Sequence, residues 1–243
     1  FFFASPMGPG LVWLWIAIGL WGWVQTVPLN MVQLLGTHNS FKLADAQSPA
    51  YFDYAFPSLE VQADTYAVRW FELDMHYNSS VSSQDSARFA VYHIKQFDPK
   101  TSCRSLTECL RPLQRWSSAH PDHTPLFVYL DRIPSLNDTQ MADLGLEITQ
   151  LWDASQLYRP SQLRGSYGTI NAALQAGSWP DLDALKGKTF FISAPVAPNP
   201  DLFFFKQNAG ESIHAEQLVV EVPASQPVPT EPFVGAQPPY LIR

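Results

Sequence analysis

Short apolar segments alternate with helical patterns along most of this chain, and this alternation restricts the possible folds more than any other feature. Apolar, β-branched and aromatic content predicts five strands, at 31–36, 67–75, 88–94, 125–131 and 188–194. Helical spacing of apolar residues predicts helices at 103–118 and 138–152, and a shorter helix that begins at Asp181 and ends just before Gly187. Strands that alternate with helices form parallel βα units. The length of 243 residues suits one such domain. The fold class predicted is therefore α/β, and the length suits a parallel α/β barrel.

Polar side chains stand where the first four predicted strands end. Glu72 and Asp74 lie two residues apart on the second strand, so both point to the same side. The carboxyl ends of the strands of a parallel barrel meet at one rim. We therefore expect the first four strands to be parallel neighbours and their polar residues to share one pocket. The candidate site residues are His38, Asn39, Glu72, Asp74, His93 and Asp131.

The chemistry of this set favours a metal-assisted reaction. Three carboxylates and an amide oxygen, with no cysteine, suit a hard cation such as Ca²⁺ or Mg²⁺. The two histidines can stabilise a phosphate and transfer a proton. A single histidine at a strand end is more often structural, but carboxylates are rare inside strands, and the joint pattern indicates a site. A net charge of -7 without a basic patch argues against a nucleic-acid partner.

Three segments carry a resemblance to a known family: LLGTHNSF, VRWFELDMH, and the run from VYHIKQFDPKTSC to PLFVYLD. Together they resemble the catalytic half of phosphoinositide-specific phospholipase C, in its small, secreted, calcium-dependent microbial form. The resemblance covers about 28–194 and the PPYLIR segment near the end of the chain. It implies a distorted TIM-like barrel. It also implies calcium-dependent cleavage of phosphatidylinositol at a membrane surface, giving diacylglycerol and an inositol (cyclic) phosphate.

The resemblance also implies a role for each candidate residue. His38 would hydrogen-bond the phosphate in the transition state, and His93 would protonate the leaving diacylglycerol oxygen. The implied calcium ligands are Asn39, Glu72, Asp74 and Asp131. The family usually has Glu, followed two residues later by Lys, where this chain has Asp131 and Ile133. The shorter carboxylate and the missing ammonium are the main departures.

Two other functions are compatible with parts of this pattern. A glycerophosphodiester phosphodiesterase has a similar barrel, but that family has His-Arg after the first strand, whereas this chain has His38-Asn39. A non-catalytic lipid- or calcium-binding relative would not need a general acid, and both histidines are present. The phospholipase C interpretation is therefore preferred.

The ends of the chain and its cysteines bear on its cellular compartment. Residues 11–24 form a 14-residue apolar run, so residues 1–28 are predicted to be a signal-like or targeting segment, with a buried helix as the alternative. The barrel domain would then be 29–243, and a strand that begins at PPYLIR predicts that it is incomplete at the C-terminus. Two sequons, at Asn78 and Asn137, favour a secreted or extracellular protein. Whether Cys103 and Cys109 form a disulfide is left open, because an ideal helix would separate them.

Overall fold

The computed structural model describes residues 27–193 except 48, 80–87, 132–135 and 169. Strands β1 to β5 are Gly36–Thr37, Trp70–Tyr77, Phe89–Val91, Leu126–Asp131 and Thr189–Ser193. Helices α1 to α5 are Leu59–Thr65, Leu106–Ala119, Asp138–Leu151, Pro160–Arg164 and Ile170–Gln175. The predicted targeting segment up to residue 26 and the PPYLIR segment lie outside these residues. In the described part of the chain, no helix is both long and apolar enough to span a bilayer.

The sheet is parallel along its main path, in the order β1-β2-β4-β5. Strands β2 and β4 pair over five positions, so that Asp74 lies level with Asp131. Helices α2 and α3 connect these parallel strands, as βα units require. The predicted α/β class with a parallel sheet is confirmed.

The two faces of the sheet differ because successive strand residues point to opposite sides. On one face Phe71 and Leu73 belong to a buried core shared with Leu110 of α2 and Leu144 of α3. The other face begins with an aromatic layer, in which Phe127 stacks between Trp70 and Phe190 at ring-centroid distances of 5.7 Å and 4.7 Å. Glu72 and Asp74 follow Trp70 on that face, so both carboxylates lie between the aromatic layer and the carboxyl edge of the sheet.

Two predicted strands are wrong in extent or direction. Within 31–36 only Gly36 is in a strand, and a 3₁₀ turn occupies Leu29–Met31. Of 88–94 only Phe89–Val91 is a strand, and it is antiparallel to β2, with Val91 opposite Met75. Only residues 78–88 separate β2 from β3, and a parallel crossover needs a dozen residues or more. The chain therefore turns back on itself.

The helix predictions hold with small shifts. Ser105 caps α2 by accepting a hydrogen bond from the Glu108 amide, so this helix begins after residue 103. Cys103 thus lies outside the helix, the ideal-helix spacing does not apply, and Cys103 and Cys109 form a disulfide with their Cα atoms 5.1 Å apart. Helix α3 begins with a capping box formed by Asn137 and Gln140. The short helix predicted from Asp181 up to Gly187 is a 3₁₀ turn, Leu182–Leu185.

Candidate functional site

The turn that follows β1 is fixed to β2 by paired hydrogen bonds. The Ser40 amide donates to the carbonyl of Glu72 (3.1 Å), and the Glu72 amide donates to Ser40 Oγ (2.9 Å). Gln62 Nε2 of α1 donates to the Ser40 carbonyl at 2.7 Å. Asn39 has a φ of 53°, a left-handed conformation that asparagine tolerates better than most residues. This turn sets His38 and Asn39 against Glu72.

Glu72 lies at the centre of the contacts in this region. Its Oε2 accepts from the Asn39 amide (3.1 Å) and lies 3.4 Å from Nε2 of His38. Burial raises the pKa of Glu72, and the Asp131 carboxylate acts in the same direction. The Asn39 amide and His93 oppose this rise, the amide as the larger influence of the two. The His38 ring is largely exposed, whereas Glu72 is mostly covered. Thus the histidine faces solvent and the carboxylate faces the site.

Asn39 has a buried oxygen for which the structure shows no partner. Its backbone amide is bonded to Glu72, and its Nδ2 donates to Tyr54 Oη at 3.3 Å. Among the side chains described, Asn39 Oδ1 is buried without any hydrogen bond. A buried, unpaired carbonyl oxygen costs about 1–3 kcal/mol, which a ligand at that atom would offset. The oxygen is therefore a candidate ligand.

The three carboxylates on β2 and β4 all raise the pKa of one tyrosine, Tyr129. Burial raises the pKa of Tyr129 to about 12, and Asp131, Glu72 and Asp74 each add to the rise, in that order. Asp74 is itself buried. In the described ranges, however, no three His, Cys, Asp or Glu side chains form a ready-made metal cluster. The three carboxylates therefore lie close enough to influence the same tyrosine. That they bind calcium is a proposal.

His93 reaches the same region by a route that differs from the prediction. It does not end a parallel strand. It follows the antiparallel β3 by two residues, and since Val91 is opposite Met75, the chain returns toward the level of Leu73. His93 Nδ1 lies 2.7 Å from Oδ2 of Asp98, and the Phe52 ring packs edge-on at 5.1 Å. The hairpin thus brings His93 near Glu72, whose pKa it lowers.

The six candidates thus lie about one rim, but several supporting residues were not singled out from the sequence. Ser40 and Gln62 fix the turn, Tyr54 binds Asn39, and Asp98 binds His93. Lys42, a charged residue between Phe41 and Leu43, is fully buried and ion-pairs with Asp98. A lysine between two apolar residues is at most a weak signal, because a solvated lysine can have the same neighbours.

The two histidines of the HPDH segment, which has a metal-like spacing, belong to a structural loop. His123 is buried, with Nε2 2.7 Å from Ser117 Oγ and Nδ1 2.6 Å from the Thr124 carbonyl. Burial lowers the pKa of His123. His120 Nδ1 lies 2.7 Å from the Trp116 carbonyl. Protein partners therefore occupy both nitrogens of His123 and one of His120.

The family model described as "Phosphoinositide phospholipase C, Ca2+-dependent" matches residues 78–212, which is more than half of the chain. The chain belongs to this family. The matched residues include His93 and Asp131. The turn at Thr37–Ser40, here called the THNS turn, and strand β2 both precede the match. No curated protein matches the chain in sequence.

Two solved bacterial phospholipases C share the fold. A calcium-dependent phosphoinositol-specific enzyme from Pseudomonas sp. aligns with a TM-score of 0.51 and 22% identity, covering 70% of this chain and 58% of the other. A Ca²⁺-dependent phosphatidylinositol-specific enzyme from Streptomyces antibioticus aligns with a TM-score of 0.50 and 23% identity, covering 69% and 54%. The chain therefore spans little more than half the length of these relatives, and at such identities the likeness concerns the fold.

Proposed function

We propose that this protein is a calcium-dependent phospholipase C that cleaves phosphatidylinositol to diacylglycerol and an inositol (cyclic) phosphate. The observation that carries the proposal is the buried, unpartnered Oδ1 of Asn39 beside the Glu72 carboxylate. Nε2 of His38 lies 3.4 Å from the same carboxylate, and His93 acts on it electrostatically. Membership of the family supplies the reaction class.

The donor atoms fit calcium in kind. Calcium prefers carboxylate and amide oxygens, and the proposed ligands are Asn39, Glu72, Asp74 and Asp131. Burial and the Asp131 charge both raise the pKa of Glu72, and a cation bound among these carboxylates would favour its ionised form. When bound, calcium would neutralise phosphate charge and lower the pKa of the attacking inositol 2-hydroxyl.

The two histidines take separate roles in the proposed reaction. His38 is exposed at the rim, where it can donate to the phosphate and stabilise the charge that develops on it. His93 is largely enclosed by protein, and we assign it the transfer of a proton to the diacylglycerol oxygen as the phosphorus–oxygen bond breaks. The enclosed ring of His93 is thus assigned acid catalysis, and the exposed ring of His38 is assigned charge stabilisation.

The compartment is also part of the proposal. The Cys103–Cys109 disulfide favours an oxidising environment, and the sequons at Asn78 and Asn137 are consistent with one. We propose that residues 1–28 target a secreted or extracellular protein, glycosylated at one or both sequons, with 29–243 as its barrel domain. Its partner would be a phospholipid surface.

The test is turnover of phosphatidylinositol vesicles by the full chain with calcium and with a chelator. We expect diacylglycerol and an inositol phosphate with calcium, and neither product with chelator. Cleavage of glycerophosphoinositol to glycerol phosphate, with phosphatidylinositol untouched, would instead support the glycerophosphodiester phosphodiesterase alternative. Calcium binding without turnover of either substrate would support the non-catalytic relative.

A further inference from the structure

His93 is bound to a carboxylate that is itself paired with a buried ammonium. Its Nδ1 lies 2.7 Å from Oδ2 of Asp98, while Oδ1 of Asp98 accepts from the Lys42 ammonium. The side chains of Lys42 and Asp98 are 1% and 0% exposed. Two opposite charges are thus held out of water directly behind a candidate proton donor.

The backbone fixes both members of this pair. Residue 42 bridges to residue 101, and the Ser102 amide donates to the Phe41 carbonyl at 2.7 Å. Asp98 and Ile94 exchange backbone hydrogen bonds of 2.8 Å and 3.1 Å, which close a tight turn just after His93. The ring and its carboxylate therefore belong to one short loop, and the lysine is held against that loop by the segment after the THNS turn.

Stability alone is a poor reason for this arrangement. Burying two charges has a large desolvation penalty, and apolar replacements of such pairs are often neutral or stabilising. A carboxylate that binds an ammonium can only accept from the imidazole, so the hydrogen of His93 lies on Nδ1. The other ring nitrogen, Nε2, is then the one able to exchange a proton with a substrate.

We propose that Asp98, held by Lys42, is a positioning residue that fixes the tautomer and orientation of His93 for proton transfer from Nε2. This inference rests on the proposed function. In the reaction, the proton on Nε2 of the imidazolium passes to the departing alkoxide oxygen. The ring is left neutral with its hydrogen on Nδ1, still donating to Asp98, so this contact persists on both sides of the step.

The same lysine also faces the other half of the site. Its ammonium lies 5.1 Å from the centroid of the Tyr54 ring, and Tyr54 Oη accepts from Asn39 Nδ2 at 3.3 Å. Substitution of Lys42 would therefore disturb Asn39 as well as His93. Asp98→Asn is the more direct variant because it changes the group that binds His93 and retains the Lys42 side chain against Tyr54.

The kinetic test compares two substrates in the full chain with saturating calcium. Phosphatidylinositol has a poor alkoxide leaving group, whereas an aryl ester of inositol phosphate leaves with little acid assistance. We expect Asp98→Asn to lower turnover of phosphatidylinositol by up to about 10²–10⁴-fold, the usual contribution of general acid catalysis, and to affect the aryl ester far less. The double variant with His93→Ala should be no slower than His93→Ala alone.

Asp143→Asn is the matched control. Asp143 ion-pairs with Arg88 and accepts from Tyr77 Oη at 3.0 Å, in a partly buried pair outside the candidate site. Any effect of this variant should be equal for the two substrates. An equal loss on both substrates for Asp98→Asn, with His93→Ala remaining selective, would overturn the positioning role and leave the proposed function intact.

A spectroscopic measurement tests the inference without turnover. The ¹⁵N shifts of the neutral His93 ring in the wild-type protein should report the hydrogen on Nδ1. The side-chain amide introduced by Asp98→Asn can present either its oxygen or its NH₂ group to the ring, so that variant should lose this single tautomer. A wild-type ring with its hydrogen on Nε2 would overturn the proposal, even if Asp98→Asn did not fold.

Discussion

Glu147 is a buried carboxyl group that should make the stability of this protein depend on pH. It lies on α3 with 5% of its surface exposed, and it accepts from the amide (3.0 Å) and hydroxyl (2.6 Å) of Thr107 in the first turn of α2. Burial raises the pKa of Glu147 from 4.5 to about 7, although the two hydrogen bonds from Thr107 act in the opposite direction. The effect of desolvation on the pKa of Glu147 is therefore larger than that of the two hydrogen bonds from Thr107.

The size of the effect follows from linkage between titration and folding. In the folded protein the pKa of Glu147 lies above its value in the unfolded chain, so the folded state binds the proton more tightly. The resulting stabilisation is fully present below pH 4.5 and is lost as the pH rises through about 7. At 1.36 kcal/mol per pH unit, the loss between pH 5 and pH 8 is about 2 to 3 kcal/mol.

The assay is urea unfolding of wild type, Glu147→Gln and Glu60→Gln at pH 5 and pH 8. Glutamine keeps an acceptor for Thr107 but cannot ionise, so the stability of Glu147→Gln relative to wild type should be about 2 to 3 kcal/mol greater at pH 8 than at pH 5. Glu60 is exposed on α1, and Glu60→Gln removes the same charge without changing a buried group. Equal differences between wild type and Glu147→Gln at both pH values would refute the reasoning.

Three further predictions concern the site and the disulfide. His93→Ala should lose turnover of phosphatidylinositol but spare a substrate with a good leaving group, whereas His38→Ala should slow both alike; equal losses for His93→Ala would remove its general-acid role. Glu72→Gln should weaken calcium binding in calorimetry, and unchanged affinity would mean that Glu72 is not a ligand. Replacing Cys103 and Cys109 by serine should lower the free energy of unfolding by about 2 kcal/mol, as expected for so short a loop; an unchanged urea midpoint would contradict this.

The central part of the sheet was predictable because its pattern is local and regular. Glu72 and Asp74 share a face through the two-residue period of a strand, and β4 shows the apolar run of a buried parallel strand up to Asp131. Polar groups at the ends of such strands must meet wherever the strands are parallel neighbours. The period therefore predicted how the carboxylates are placed, but not the contacts that each side chain makes.

The direction of β3 was not visible in the same pattern. An apolar run has the same period in either direction, and only the length of the connection from β2 distinguishes a hairpin from a crossover. His93 nevertheless reaches the region of Glu72, because the register of Val91 with Met75 leads the chain back along β2. His93 therefore lies near Glu72 because of this register, and not because it ends a parallel strand as the sequence pattern predicted.

The contacts between Lys42, Asp98 and His93 could not be predicted from periodicity. Lys42 and Asp98 are 56 residues apart and lie outside the strands and helices, in segments that pair through residues 41–43 and 100–102. In a sequence, a lysine that will be buried looks like one that will be solvated, because its partner is unknown. Since such a pair has a desolvation penalty, its presence behind His93 needs a reason other than stability. Holding the hydrogen of His93 on Nδ1, so that Nε2 can transfer a proton, is such a reason. The contacts that the sequence predicts least well are therefore the ones that support the proposed proton transfer.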